Sequence, residues 1–461
     1  MSVLAAVAVP HPPLIIPQVG MGREKQIQST VDSYNKVMEF LASFNPETVV
    51  IASPHMETYA DYIHVASGHG ASGSFAQFGA SDVRIEASYD EGFIDELCDE
   101  FNAKNLSAGK LGHKMSELDH ATMIPMWFLN KYLSSYKVVR IGISGLDICD
   151  HYRVGKAVSD VASRLKRKVV FIGSGDLSHR LLDDGPYGFN ENGPVFDRTI
   201  ADSFKKADFN LLLSIPSAIC DGAGECGFRP FVLMAGVLDR KDIDGKLLSY
   251  EGPFGVGYAV ASFSVTGDDN NNNYLDKFLD SVKKSNDKSK ANGDEYTSLA
   301  RASMEHYVKT QSMLERPDNL PSDLIKKKAA VFVSLKKFGA LRGCIGSLAP
   351  TCDCVADEII RFAVNACSHD PRFEPVREDE LPYITVSVDV LTSPEKISST
   401  DELDPKKYGV IVRSGYKSGV LLPDLEGVDT PQEQIRICRR KGGIADDESV
   451  ELERFEVIRH F

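Results

Sequence analysis

A chain of 461 residues, 43% hydrophobic and 26% charged, has the composition of a folded globular protein and is too long for a single core, so two or three domains are expected. Its net charge of −14 argues against general attraction to nucleic acid or an anionic membrane, because the long-range field repels polyanions. Nine cysteines without a secretion signal point to reduced thiols and a cytoplasmic location, not to a disulfide framework.

The first segment, "MSVLAAVAVPHPPLIIPQVG", is apolar but lacks a basic leader and is broken by Pro10, Pro12 and Pro13, so it reads as a buried strand entering a proline turn. Further apolar, β-branched runs follow at 48–53 ("TVVIAS"), 137–144 ("KVVRIGIS"), 168–175 ("KVVFIGSG") and 258–265 ("YAVASFSV"). Between them, 23–44, 89–101 and 149–165 have helical spacing; the basic run "RLKRK" at 164–168 reads as a solvated helix end. Strand alternating with helix predicts an α/β domain over 1–265, with a mostly central twisted sheet flanked by helices.

Residues 266–292 are dominated by Asp, Asn, Lys and Ser, and such a segment buries too little apolar surface to offset its ordering entropy. A polar linker is expected there, with the break near residue 280. Beyond it, a helix at 296–311, a strand and glycine-punctuated turn over 329–348, a helix near 355–367 and a strand at 383–392 predict a smaller α+β domain over 293–461.

In the first domain, the chemistry-bearing residues stand where predicted strands stop. His11 follows the first strand in "AVPHPP", His55 follows the second in "SPHME", His120 stands in "ELDHATMIP", and His179 closes "GSGDLSHR". The carboxyl ends of neighbouring strands in an open α/β sheet converge on one crevice, where such residues can meet. Two neutral imidazoles and one carboxylate on one face of Fe(II) leave positions open for a chelating substrate and dioxygen. The carboxylate candidate is Glu225 in "DGAGECGFRP"; a thiolate from its neighbour Cys226 would favour a softer or tighter-bound ion. Each of these residues also has a structural reading as a turn, capping or core histidine, or as a salt-bridged acid. His64, His69, His113 and His151 follow no strong strand and are read as structural.

On these segments the sequence resembles the class III extradiol dioxygenase superfamily, the LigB-like catalytic domain and its Memo-like relatives, over about 1–265: "PHPP", "SPHM", "LDHATMIPMWFL", "GSGDLSHR" and "GAGECGFRPFVLMAG", in this order. The resemblance implies that His11, His55 and Glu225 are iron ligands, that His179 is the active-site base or acid, and that His120 is a second histidine beside substrate and oxygen. Glu225 would separate this chain from Memo-like proteins, where a cysteine takes the third corner. The activity implied is Fe(II)-dependent ring opening of a catechol-like aromatic, with another divalent metal as the alternative.

The second domain resembles the Ammecr family through "KKFGALRGCIGSL", "NACSHDPRF", "ITVSVDVLTSPE" and "YGVIVRSGYKSGVLLPD", although the region after Pro423 lacks the tryptophan many members carry. Its candidate site is Cys344, with Arg342 beside it as a cation to activate the thiol, and His369 and Asp370 approaching through "SHDPRF". The "CDC" at 352–354 lacks a second ligand pair for zinc. Together the halves resemble components of the AmmeMemoRadiSam system, which implies a radical S-adenosylmethionine protein as partner and an oxygen-independent reaction on an aromatic substrate as a second possibility. A non-enzymatic metal-binding scaffold or signalling protein is a third, and related catalytic domains suggest a homodimer.

Overall fold

The computed structural model describes residues 2–112, 117–425 and 427–461; His113 lies outside them. The chain packs as two units, 1–280 and 281–461.

Six strands build the sheet of the first unit: β1 (Val3–Val9), β2 (Thr48–Ala52), β3 (Lys137–Ile141), β4 (Val169–Ser174), β5 (Lys241–Glu251) and β6 (Tyr258–Asp268). Their order is β3-β2-β4-β1-β6-β5. The four at the β3 side run parallel, while β6 is antiparallel to β1, and β5 to β6. Parallel strands are covered on both faces, which is why β1, β2 and β4 are near-continuous apolar runs, buried along almost their whole length. The register aligns Val9 with Ser174 and Ala52 with Gly173, so β1, β2 and β4 end side by side and the residues that follow them emerge on one edge.

Five helices of this unit frame that edge or brace its walls: α1 (Gln28–Ser43), α2 (His120–Leu129), α3 (Ile148–Leu165), α4 (Asn192–Lys206) and α5 (Phe228–Val237). Where α3 and α5 cross, their backbones touch. A Cβ added to Gly155 would sit 2.0 Å from the Leu233 carbonyl oxygen, and one on Gly236 2.0 Å from that of Tyr152. A hairpin of Gly70–Phe75 and Ala80–Ser88 was not legible in the sequence, because its glycine and serine content hides the alternation of Val83, Ile85 and Ala87.

The expected loose linker at 266–292 is ordered instead. Strand β6 runs on to Asp268, and α6 (Tyr274–Asn292) takes up most of the remainder, with the unit boundary inside it at 280/281. Tyr274, Leu275 and Phe278 are buried along its first turns, and the buried Asn286 amide donates to the Pro382 carbonyl at 3.0 Å. A few well-placed contacts thus offset a polar composition.

The second unit is an antiparallel sheet of β7 (Val331–Lys337), β8 (Ala340–Gly346), β9 (Ile384–Leu391), β10 (Tyr408–Ser414), β11 (Lys417–Leu421) and β12 (Glu451–His460), in the order β8-β7-β9-β12-β10-β11; Glu395–Ile397 also pairs with β12. Helices α7 (Glu295–Thr310) and α8 (Val355–Ser368) pack on it through Leu299, Met304, Ile359 and Ala363 against Val333 and Val388. Among the described residues no helix is long and apolar enough to cross a membrane.

Gly155→Ala inserts a methyl group where backbone already stands, so it should destabilise by about 1–3 kcal/mol, the opposite sign to the ~1 kcal/mol gain that helix propensity alone gives; denaturant unfolding measures it. Asp197 of α4, fully buried, accepts from the Ser178 N–H and the Tyr250 hydroxyl, each at 2.8 Å, and burial pushes its carboxyl up to about 7. Its folded value lies above the unfolded one, so its contribution is present at low pH and is lost as pH rises through about 7. The stability difference between wild type and Asp197→Asn should therefore move in that direction between pH 4 and 8 and be flat if the carboxyl is not raised.

Candidate metal centre

Chain leaving β1 places His11 at the buried edge of the sheet, 2% exposed. Its backbone N–H donates to Asp176 Oδ1 at 2.7 Å. On the ring, Nδ1 lies 3.1 Å from Ser174 Oγ, and that hydroxyl donates its own proton to the Ala121 carbonyl at 2.7 Å. Ser174 can then only accept, so His11 carries its proton on Nδ1 and presents Nε2 as a bare lone pair. That atom faces His55 Nε2 at 3.1 Å and Cys226 Sγ at 3.5 Å.

His55, exposed at the lip, is positioned through its backbone. Its N–H donates to Ser53 Oγ at 3.2 Å, and Ser53 donates to Asp119 Oδ1 at 2.6 Å. Asp119 is also the N-cap of α2, accepting from the Thr122 N–H at 2.9 Å, and it pairs with the buried Arg140 at 2.7 Å. Burial by itself would raise the Asp119 carboxyl, but Arg140 and the bonds from Ser53 and Thr122 outweigh it and hold it below the usual range. His120 comes next as the first residue of α2, its ring centroid 4.3 Å from that of His55 and 5.4 Å from that of His11.

On the other flank, the turn after β4 meets the turn before α5. A Cβ on Gly175 would stand 2.1 Å from Gly227 Cα, a contact only two glycines permit. It brings Cys226 Sγ to 3.3 Å from the Asp176 N–H, which donates to it. Asp176, His179 and Cys226 offer ligand atoms within 4.8 Å of one another, as do His11, His55 and Cys226. The His179 ring stacks on Tyr187, centroids 5.3 Å apart, and Phe78 of the hairpin packs edge-on against His120 at 5.5 Å.

Burial and mutual repulsion set the proton affinities. Burial first, then His55, keeps His11 well below the ordinary histidine range. His120 is pushed down to about 3, mainly by burial, and His179 is lowered by burial against the pull of Asp176. The Asp176 carboxyl is raised by burial to about 6, and the Cys226 thiol is raised well above its ordinary value. A bound cation reverses that last preference, because a coordinating thiol gives up its proton.

Glu225 requires a correction. Its carboxylate is not brought to His11 and His55 but turns to α5, accepting from the Phe228 N–H at 2.6 Å, and burial pushes it up to about 7. The first N–H groups of a helix lack intrahelical partners and attract an acid. Cys226, and not Glu225, is the residue placed with His11 and His55 where the three could hold a metal ion, so the expected distinction from Memo-like proteins no longer rests on Glu225. The other described histidines of the first unit make bonds of a structural kind: His64 Nδ1 meets the Leu111 carbonyl at 2.9 Å, His69 meets Glu91 on the surface at 2.8 Å, and His151 accepts from the Ser144 N–H at 3.2 Å while its Nδ1–H donates to the Asp147 carbonyl. Asp176, Asp119 and Arg140 went unselected in the sequence, although the two acids stand inside segments already singled out.

In the second unit, Arg342 is not the cation at Cys344. It forms a two-pronged pair with Glu380 at 2.9 and 3.1 Å. The cation there is Arg372, which donates to the Cys344 carbonyl at 3.0 Å and pairs with Asp370 at 2.7 Å. Asp370 in turn accepts from the Cys344 N–H at 2.9 Å, and Ser334 Oγ donates to the thiol at 3.1 Å. His369 is exposed and bonds Ser368, lining a different cavity with Cys367 and Tyr307.

Comparison with known proteins gives each half of the chain its own match. The catalytic LigB subunit of aromatic ring-opening dioxygenase matches residues 5–261, and AMMECR1 matches 297–460. A Clostridium acetobutylicum protein is 40% identical over 469 residues, covering 100% of this chain and 99% of its own. One from Thermotoga maritima is 48% identical over 167 residues, 36% of this chain and 96% of its own. A crystal structure from Pyrococcus horikoshii shares 31% identity over 36% of this chain and 89% of its own, with a TM-score of 0.34. The chain belongs to the family of the catalytic LigB subunit of aromatic ring-opening dioxygenase, joined in one polypeptide to an AMMECR1 domain.

Proposed function

We propose that the first unit is a metal-dependent enzyme of extradiol dioxygenase type, acting on a small aromatic substrate with two adjacent oxygens, its metal held by His11, His55 and Cys226. The observation that carries the reading is the bare Nε2 of His11, aimed at a second imidazole nitrogen at 3.1 Å and a sulfur at 3.5 Å. The set fits a divalent transition ion. It does not fit the two-histidine, one-carboxylate iron site expected through Glu225, and with a thiolate present zinc and copper compete with iron.

Such an ion supplies the charge that acidifies a chelating diol and, if redox-active, the electrons for dioxygen chemistry. The side chains do the rest. His179, kept neutral by burial, is a base for the substrate hydroxyl proton, and Asp176 beside it steadies the imidazolium that results. His120, neutral to about pH 3, serves through its ring N–H as a hydrogen-bond donor to an oxygen of the substrate or of dioxygen. Tyr187 and Phe78 border the two histidines with flat apolar surface suited to an aromatic ring.

A second reading, an oxygen-independent transformation of a similar substrate with a radical S-adenosylmethionine protein as partner, is favoured by Cys226 itself, since a thiolate beside bound dioxygen is prone to oxidation.

Elemental analysis of protein purified anaerobically tests the site. Near one transition ion per chain is expected in wild type and in Glu225→Gln, several-fold less in Cys226→Ser, and none in the His11→Ala/His55→Ala double variant. Metal lost in Glu225→Gln and kept in Cys226→Ser would restore the carboxylate site; metal indifferent to both histidines would leave a scaffold. In a turnover screen with catechols, with and without dioxygen, His179→Ala should keep its metal and lose about a hundredfold or more in rate; turnover only without dioxygen selects the second reading.

A further inference from the structure

We propose that the second unit carries a binding site for a small monocarboxylic acid, in a cavity of about 240 Å³ lined by Lys290, Ser298, Arg301, Glu305, Val386 and Phe461. The starting point is Arg301 of α7. Two arginines are buried among the described residues, Arg140 at 1% and Arg301 at 9% exposure. Arg140 is neutralised by Asp119. Arg301 makes no ion pair among the described residues: one of its five N–H donors goes to the Ile384 carbonyl at 3.1 Å, and the residue lines the cavity.

A buried cation without a carboxylate is unfavourable, and such groups are ordinarily paired. Here burial depresses the proton affinity of Arg301 despite the attraction of Glu305 and, more weakly, Asp287. Glu305 is engaged with Lys290 at 3.1 Å. The side chains of the wall therefore carry two cations and one anion, a net side-chain charge of +1. That favours a singly charged group over a phosphate monoester, which carries nearly two charges. A planar carboxylate matches the guanidinium fork, and Ser298 and Ser289, each with a hydroxyl able to donate, are among the lining residues.

The apolar side chains of the lining, Ala302, Val386 and Phe461, receive a short apolar body. At this volume the ligand is smaller than the drug-sized molecules that occupy sites of roughly 300–1,000 Å³. The cavity shares no residue with the metal centre of the first unit, so the two assignments stand or fall separately.

Calorimetric titration of the full chain at constant ionic strength tests it, with benzoate, acetate and inorganic phosphate as probes. Saturable benzoate binding is expected, several-fold tighter than acetate and tighter than phosphate. Arg301→Met should weaken benzoate by roughly tenfold or more, the worth of a charge-assisted hydrogen bond. Because that variant alters a buried residue, Ala302→Phe, at an exposed position of α7, is the companion: it fills the cavity, keeps Arg301 and should abolish benzoate binding. No saturable heat with benzoate, an affinity unchanged in Ala302→Phe, or phosphate binding more tightly than benzoate would each overturn the assignment.

Discussion

The carboxylate of Asp119 holds the histidine cluster together. It accepts from Ser53 at the end of β2, from Thr122 in the first turn of α2, and from Arg140 in β3. One oxygen pair thereby fixes the backbone that carries His55 and the helix that begins with His120. A buried Asp–Arg pair is poor value for stability alone, since apolar residues of the same volume often do as well or better, whereas removing one partner strands a buried charge. Its place here is explained by registration: it ties the backbone that carries His55 to the helix that begins with His120.

The opposite flank is held by shape and not by charge. Gly175 and Gly227 touch backbone to backbone, and that contact sets Asp176 and Cys226 side by side. Just beyond it, Gly155 and Gly236 let α3 and α5 close on each other, which anchors the helix that Cys226 and Gly227 lead into. The cluster is thus clamped between an electrostatic hub and a glycine seam. The long side chain in these contacts, Arg140, is buried and tied to Asp119, Thr122 and Tyr89, as a preorganised site requires.

Much of this was legible because parallel strands buried on both faces announce themselves as apolar runs, and the residue after such a strand has only one place to emerge. His11, His55 and His179 were found that way, and His120 by its segment. Which of two adjacent residues faces the cluster was not legible. Glu225 and Cys226 share one turn, and the choice between them is made by a glycine 50 residues earlier and by the free N–H of the helix that comes after. Arg342 and Cys344 fall on the same side of β8 by their spacing, yet Glu380, out of reach of any local pattern, draws the arginine away. Composition misled at 266–292 for a related reason: three apolar side chains and one satisfied asparagine suffice to order a polar helix, and averages do not record position.

The electrostatic state of the cluster is set by how it is built. Burial holds His11, His120 and His179 neutral at ordinary pH, so the imidazole lone pairs are available without displacing protons from those rings. Ser174 has already chosen the His11 tautomer. The thiol of Cys226 is the exception, held protonated by the same burial and by the nearby Asp176 carboxyl. Loading such a site releases the thiol proton, so occupancy would rise with pH, and His11, already neutral, adds nothing to that dependence. A carboxylate third ligand with the ordinary proton affinity of a solvated acid would lack this feature. Sulfur in place of oxygen at one corner would therefore change more than the preferred metal: it would couple occupancy to the protonation of a buried thiol, whose oxidation state would also decide whether it can bind at all.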